Sequence, residues 1–230
     1  MFKYTLLLFL VSLLLSYNYI IYVAPSPNTI PKNQLVSHQT IFKKINNGDL
    51  IFLSGDTSGE RLCRWFSNCM FSHIGLLFVE NNEIFVLDSD LGQKMKEGVR
   101  VQKLNDKLVK YKGIRIGAIK RINFFTENHS NRINTKEKIP TSKFINLIEK
   151  NKNVGFDNKM LTWFFGDIPV LRDIFRNKNQ VFCSEFVAKC LMELEIIKND
   201  EPTKYGPGDF YRKFDVISKY DYGKPEFFSF

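Results

Sequence analysis

The chain has 230 residues, enough for one large domain or two small ones, and 44% of them are hydrophobic and 14% aromatic, which supports a sizeable core. The net charge is +9. The lysines are nevertheless spread among Asn, Ile and Phe with no basic stripe and no nucleic-acid-binding motif, so no nucleic-acid partner is expected.

Residues 5–24 form a run of twenty without a charge, long enough to cross a hydrocarbon core of about 30 Å. Lys3 precedes the run and no charge follows until Lys32. That bias puts the N-terminus on the cytoplasmic side and the rest of the chain on the extracytoplasmic or luminal side. A cleaved signal peptide with 6–15 as its apolar core would leave a secreted domain instead. A cut after Ala24 would put Pro25 next, so residues 1–24 read as a retained signal-anchor helix. Residues 25–40 hold three prolines among polar residues and read as a linker, with His38 solvated in it. The folded domain is expected over residues 41–230.

Asn46 to Asp49 reads as a turn, followed by a short buried strand at 50–53. A polar loop and a short helix or irregular stretch lead to Phe71. Cys63, Cys69 and His73 match no common zinc spacing, so no metal is expected there. The cysteines are four, at 63, 69, 183 and 190, too few for a disulfide-stapled scaffold. Apolar runs at 72–79 and 84–90, separated by a polar Asn81-Asn82 turn, make a β-hairpin. With Asn81-Asn82 as the loop, Gly75 faces Asp88 and His73 faces Asp90. With the loop one residue earlier, His73 faces Asp88. In both registers His73, Asp88 and Asp90 share one sheet face, because strand side chains alternate with period two. A carboxylate within reach of an imidazole fixes its tautomer and stabilises its protonated form. A surface histidine beside two turn aspartates is the plainer alternative.

Residues 99–104 alternate as a strand and 113–122 give another. Residues 127–138 are polar and read as an exposed excursion, with His129 solvated and Asn128-His129-Ser130 as a glycosylation pattern. Thr141 can cap a helix through Phe144, Leu147 and Ile148. Gly155-Phe156-Asp157 opens an aromatic segment to Phe165 that covers the core or lines a groove. Cys183 then opens an amphipathic helix whose buried side is Phe186, Val187, Cys190, Leu191 and Leu194. A thiol at that position meets the positive end of the helix dipole, which favours thiolate. Taken alone, Cys183 is also what a small core residue looks like, and Cys190 reads as one. Tyr205 to Phe210 is a turn into a short helix, and 216–218 a last strand. No phosphate loop or dinucleotide fingerprint is present, so no cofactor is expected.

Cysteine at a helix start and histidine at a strand start are the arrangement of papain-like thiol enzymes. Four features occur here in order: Gly48-Asp49-Leu50-Ile51-Phe52, Ser72-His73-Ile74-Gly75, a carboxylate fifteen residues after His73, and Phe182-Cys183-Ser184-Glu185-Phe186-Val187. Together they resemble the circularly permuted NlpC-type papain-like amidases, a family with YiiX-like bacterial members and relatives in large DNA viruses. Gly155-Phe156-Asp157 and Pro207-Gly208-Asp209-Phe210 resemble that family too. The resemblance covers roughly residues 45–215. It implies an α+β permuted papain-like fold, with an antiparallel sheet packed against the helix that carries the nucleophile. It implies Cys183 as nucleophile, His73 as general base and Asp88 as the third member. Asp90 stays open for that place, because the family's residue is often the longer Glu. The Cys183 backbone N–H would serve an oxyanion hole, and Glu185 would brace the helix start. The implied function is a membrane-anchored cysteine hydrolase that opens an amide or ester bond of a peptide or acyl lipid through a thioester. The alternatives are an inactive papain-like module that binds lipid or peptide at a membrane, and a structural viral envelope component.

Overall fold

Ile51 and Leu53 are as fully buried as Leu50 and Phe52. A strand buried on both faces has to lie inside a sheet that is covered on both sides, and the computed structural model places it there. The structure describes residues 22–90, 98–111, 113–128, 131–135, 138–156, 180–212 and 214–230, with residues 12, 15, 16 and 19 besides. In chain order its elements are β1 (Val36–Ser37), α1 (His38–Phe42), β2 (Leu50–Ser54), α2 (Ser58–Phe66), β3 (His73–Glu80), β4 (Glu83–Ser89) and β5 (Val99–Lys103). Then come α3 (Leu104–Lys110), β6 (Ile114–Lys120), β7 (Ile122–Asn128), β8 (Asn131–Thr135), α4 (Thr141–Asn151) and β9 (Gly155–Phe156). The chain closes with β10 (Gln180–Val181), α5 (Cys183–Glu193), α6 (Pro207–Tyr211), β11 (Tyr220–Tyr222) and β12 (Glu226–Ser229).

The architecture is mixed α+β. Its main sheet has seven strands in the order β1-β12-β6-β2-β3-β4-β5, all antiparallel to their neighbours except β1 beside β12. Two small sheets, β11-β7-β8 and β10-β9, accompany it. Alternation along the central strands sorts their side chains into two cores. Leu50, Phe52, Ile74, Leu76, Phe78 and Leu87 face the first, which Phe186, Val187 and Leu191 of α5 close. Ile51, Leu53, Leu77, Val86 and Ile119 face the second, which Leu104 and Leu108 of α3 close.

The β3–β4 hairpin pairs Glu80 with Glu83 and Leu76 with Leu87, so Asn81-Asn82 is the loop. Both asparagines have positive φ, 49° and 62°, the backbone that a two-residue hairpin turn needs and that Asn tolerates. Thr141 opens α4 without capping it; its Oγ1 donates instead to the carbonyl of Val79 at 3.0 Å.

Several expectations change. Residues 25–40 are part of the fold, and no free linker precedes Ile41. Ile30 is buried, β1 extends the main sheet, and Arg64 Nε donates to the Pro25 carbonyl at 2.7 Å. The prolines of this segment shape two 3-10 turns, Pro27–Thr29 and Lys32–Gln34. His38 opens α1 with Nδ1 3.2 Å from the Ser229 carbonyl, so it is docked on β12 while still partly exposed. The excursion expected at 127–138 is largely the β7–β8 hairpin, paired from Phe124↔Thr135 to Asn128↔Asn131. The strand expected at 216–218 is not formed; Ile217 N instead donates to the Ile196 carbonyl at 2.9 Å. β12 lies beyond it and enters the sheet between β1 and β6. His129, Ser130, Asp157 and the aromatic segment that follows lie outside the described residues, as does most of the membrane segment expected at 1–24. Among the described residues no helix is long and apolar enough to cross a membrane.

Candidate active site

His73 is the first residue of β3, and Asp88 is the last but one of β4. The register sets Gly75 opposite Asp88 and leaves His73 on the diagonal. A Cβ on Gly75 would lie 2.6 Å from Val86 Cγ2 and 3.4 Å from Asp88 Cβ. The missing side chain leaves the space through which the imidazole reaches the carboxylate, with His73 Nε2 2.8 Å from Asp88 Oδ2. Asp88 is fully buried, and 13% of the His73 side chain is exposed.

Cys183 is the first residue of α5, with Phe182 as its N-cap. The helical ladder starts only at Phe186 N, which donates to the Phe182 carbonyl at 2.9 Å. The N–H groups of Cys183 and Ser184 therefore precede the ladder and point out of the helix end. Two contacts bring this end to the start of β3. Ser89 Oγ donates to the Val181 carbonyl at 3.0 Å, and β10 pairs with β9. Gly98 bridges to Gly155, and only a glycine fits there, since a Cβ would sit 1.9 Å from the Val154 carbonyl oxygen. The Cys183 thiol lies near enough to the His73 ring to act on its charge. Asp88 holds Nε2, which leaves Nδ1 as the ring atom available to the sulfur.

Burial and the Lys107 ammonium both disfavour a proton on His73. Cys183, together with the hydrogen bond to Asp88, outweighs them and raises the imidazole to about 10. Burial alone would also push Asp88 up, but Lys107 and His73 hold its carboxyl well below the usual carboxylate range. Asp90 lies below that range as well, because His73 and Lys107 outweigh its burial.

Two residues that sequence reasoning passed over complete the cluster. Lys107 Nζ lies 2.6 Å from Asp88 Oδ2 and 3.0 Å from Asp90 Oδ2. Arg100 pairs with Asp90, and its Nε stands 3.5 Å from Asp88 Oδ1. Arg100 was findable, since the β4–β5 register sets it opposite Asp88. Lys107 was findable as the one charge in the stripe Leu104, Lys107, Leu108 on the buried side of α3. Of the two aspartates in the hairpin, Asp88 bonds the imidazole, and both meet the cations.

His73, Asp88 and Asp90 offer three ligand atoms within 4.8 Å of one another, a set that could hold a divalent ion. The residues around them do not fit one. The Lys107 ammonium already bridges the two carboxylates, and a metal would have to displace a buried cation. Cys63 and Cys69 are not in this group.

Cys190 is buried in the first core, and burial pushes its thiol up. Burial likewise pushes Cys69 up to about 11. Cys63 lies nearer the site, with Sγ 3.7 Å from the Ser72 carbonyl, and burial raises its thiol too. Glu185 is buried on the first turn of α5 and pairs with Lys189 at 3.1 Å.

No protein-family model matches the chain, and no curated protein matches it. Among solved structures, the chain is similar to metalloprotein yiiX of Escherichia coli O157:H7 (DUF1105), with 16% identity and a TM-score of 0.42. That likeness covers 65% of this chain and spans 66% of the other's length.

Proposed function

We propose that this protein is a membrane-anchored cysteine hydrolase of the circularly permuted papain-like type, opening an amide or ester bond with Cys183, His73 and Asp88. The observation that carries the proposal is the meeting of a helix-start thiol with an imidazole whose Nε2 lies 2.8 Å from a fully buried carboxylate. In this reading the Cys183 thiolate attacks the carbonyl carbon and forms an S–C bond. N–H groups at the start of α5 donate to the developing oxyanion. The tetrahedral species collapses as the C–N or C–O bond breaks, and the His73 imidazolium gives its proton to the leaving group. Neutral His73 then takes a proton from water, whose oxygen attacks the thioester. The acid product leaves and the thiolate–imidazolium pair returns. Asp88 stays a carboxylate throughout and holds the ring. Residues 1–24 anchor the chain, and the domain faces the extracytoplasmic or luminal side. The substrate is a peptide or an acyl lipid.

The test is alkylation with an iodoacetamide probe. Cys183 is 8% exposed against 1% for Cys69 and Cys190, and burial pushes the Cys63 thiol up, so Cys183 should supply the fast-reacting thiol and Cys183→Ala should lose it. Equal labelling of the two proteins would sink the assignment. A wild type without a fast thiol that still binds liposomes would favour the inactive binding module.

A further inference from the structure

A lysine on the buried side of a short helix needs counter-charges, and Lys107 has two. Its side chain is 3% exposed, with Nζ against Asp88 Oδ2 at 2.6 Å and Asp90 Oδ2 at 3.0 Å. The same Asp88 oxygen meets His73 Nε2 at 2.8 Å. One carboxylate oxygen thus stands between an imidazole and an ammonium. Arg100 approaches the other oxygen, Oδ1, at 3.5 Å, and with 24% of its side chain exposed it stands farther out. Among the described residues, Tyr111, just after α3, and Cys183 are further titratable groups beside the cluster. Two carboxylates held this close with no cation between them would share a proton. A protonated Asp88 could no longer stabilise an imidazolium.

We infer that Lys107 is a positioning residue, the built-in cation of the His73–Asp88–Asp90 cluster, which keeps Asp88 ionised against His73 and occupies the place a divalent metal ion would take. The first half rests on the reading of Cys183, His73 and Asp88 as the reacting set. The second half stands on the cluster geometry alone.

The experiment compares the full chain with Lys107→Ala, which removes the charge and frees its volume, and Lys107→Arg, which keeps the charge. Co2+ is the probe for the cluster, followed by its absorption band and by the ring 15N signal of His73. Wild type should take up no Co2+ at His73, and Lys107→Ala should take up one ion. Cys183 alkylation by iodoacetamide is followed against pH. Below pH 6, Lys107→Ala should lose about tenfold or more, the usual cost of removing a partner that supports a reacting group. The loss should shrink as pH rises, and it should be relieved by Lys107→Arg or by added ethylammonium.

Stoichiometric Co2+ binding at His73 in wild type would overturn the inference. So would a Lys107→Ala profile that superposes on wild type, or one lowered by the same factor at every pH without rescue. If Lys107→Ala does not fold, the wild-type Co2+ titration and the Lys107→Arg profile decide alone. The titration is repeated in Cys183→Ser. If wild type shows no fast thiol, the hydrolase reading fails and the metal result still judges Lys107.

Discussion

Replacing Asp88 by Asn keeps the side-chain volume and removes a fully buried charge. Oδ2 of Asp88 accepts from His73 at 2.8 Å and from Lys107 at 2.6 Å, and Oδ1 faces Arg100 Nε at 3.5 Å. An asparagine has two ways to sit there. With its carbonyl toward His73 and Lys107, its amide points a donor at Arg100 and no anion is left beside the imidazolium. Flipped, its amide donates to His73 Nε2, which drives the ring proton to Nδ1, the side that must accept the thiol proton. Either way His73, now held at about 10, keeps the burial and the Lys107 repulsion that lower it and the Cys183 charge that raises it most, and loses the support of the Asp88 carboxylate. It should fall below its wild-type value.

Breaking a buried ion pair costs about 3–5 kcal/mol. Asp90 still pairs with Lys107, so the lower end applies. For a domain of this size the melting temperature should drop by on the order of 10 °C. The His73 titration is read from ring 15N shifts, and stability from urea unfolding of the same sample. A variant whose His73 titrates as in wild type, or whose stability lies within about 0.5 kcal/mol of wild type, would refute the reasoning. Asp90→Asn serves as the contrast, because 31% of the Asp90 side chain is exposed and it does not bond to the ring. It should lower the His73 titration less than Asp88→Asn does, through the loss of charge alone.

Stability should vary with pH on two limbs. The depressed Asp88 and Asp90 contribute stability above the unfolded carboxylate value of about 4, and urea midpoints should fall as pH drops below it through the folded values. His73, raised to about 10, contributes fully below about 6.5. Its share is lost toward pH 10 at up to about 1.4 kcal/mol per pH unit, and a His73→Gln protein whose alkaline slope matches wild type would contradict the assignment. Gly75→Ala should cost about 1–3 kcal/mol, because the new methyl would meet Val86 Cγ2 at 2.6 Å. It should also part β3 from β4 enough to slow Cys183 alkylation, whereas full stability with unchanged labelling would show that the space beside Asp88 is not required.

The β3–β4 hairpin was legible because Asn81-Asn82 carries its own turn chemistry and the apolar residues around it alternate. That placed His73, Asp88 and Asp90 on one face, although the register stayed open by one residue. Cys183 was legible through helix periodicity. Its distance from His73 was not, because it depends on the bond from the Ser89 side chain to the Val181 carbonyl and on the Gly98–Gly155 approach, both contacts between segments far apart in sequence. Lys107 was passed over because a lysine among leucines looks like a solvated residue until its counter-ions are known. β12 was missed for a related reason. Glu226-Phe227-Phe228-Ser229 is too short to declare itself as a strand and gains its place from the edge of β6. The linker reading failed because prolines mark breaks in regular structure, and such breaks occur in docked chain as well as in free chain.

That last correction bears on function. Pro25 directly follows the uncharged run, and its carbonyl accepts from Arg64 Nε at 2.7 Å. Arg64 Nη1 also bonds the Gly55 carbonyl, and Gly55 N donates to Ser72 Oγ at 3.1 Å. Ser72 is the residue before His73. A buried guanidinium that satisfies carbonyls on two segments fixes their separation, because breaking either hydrogen bond inside the protein would leave a polar group unpaired. A flexible spacer would let the domain sample every orientation above a surface. This tether leaves little freedom between the end of the proposed anchor and the strand that begins with the proposed base. With residues 5–24 in a bilayer, as proposed above, the domain therefore works close against that bilayer in a restricted orientation. Its substrate is then expected to be presented at the membrane surface, and a soluble peptide diffusing far above it is the poorer candidate.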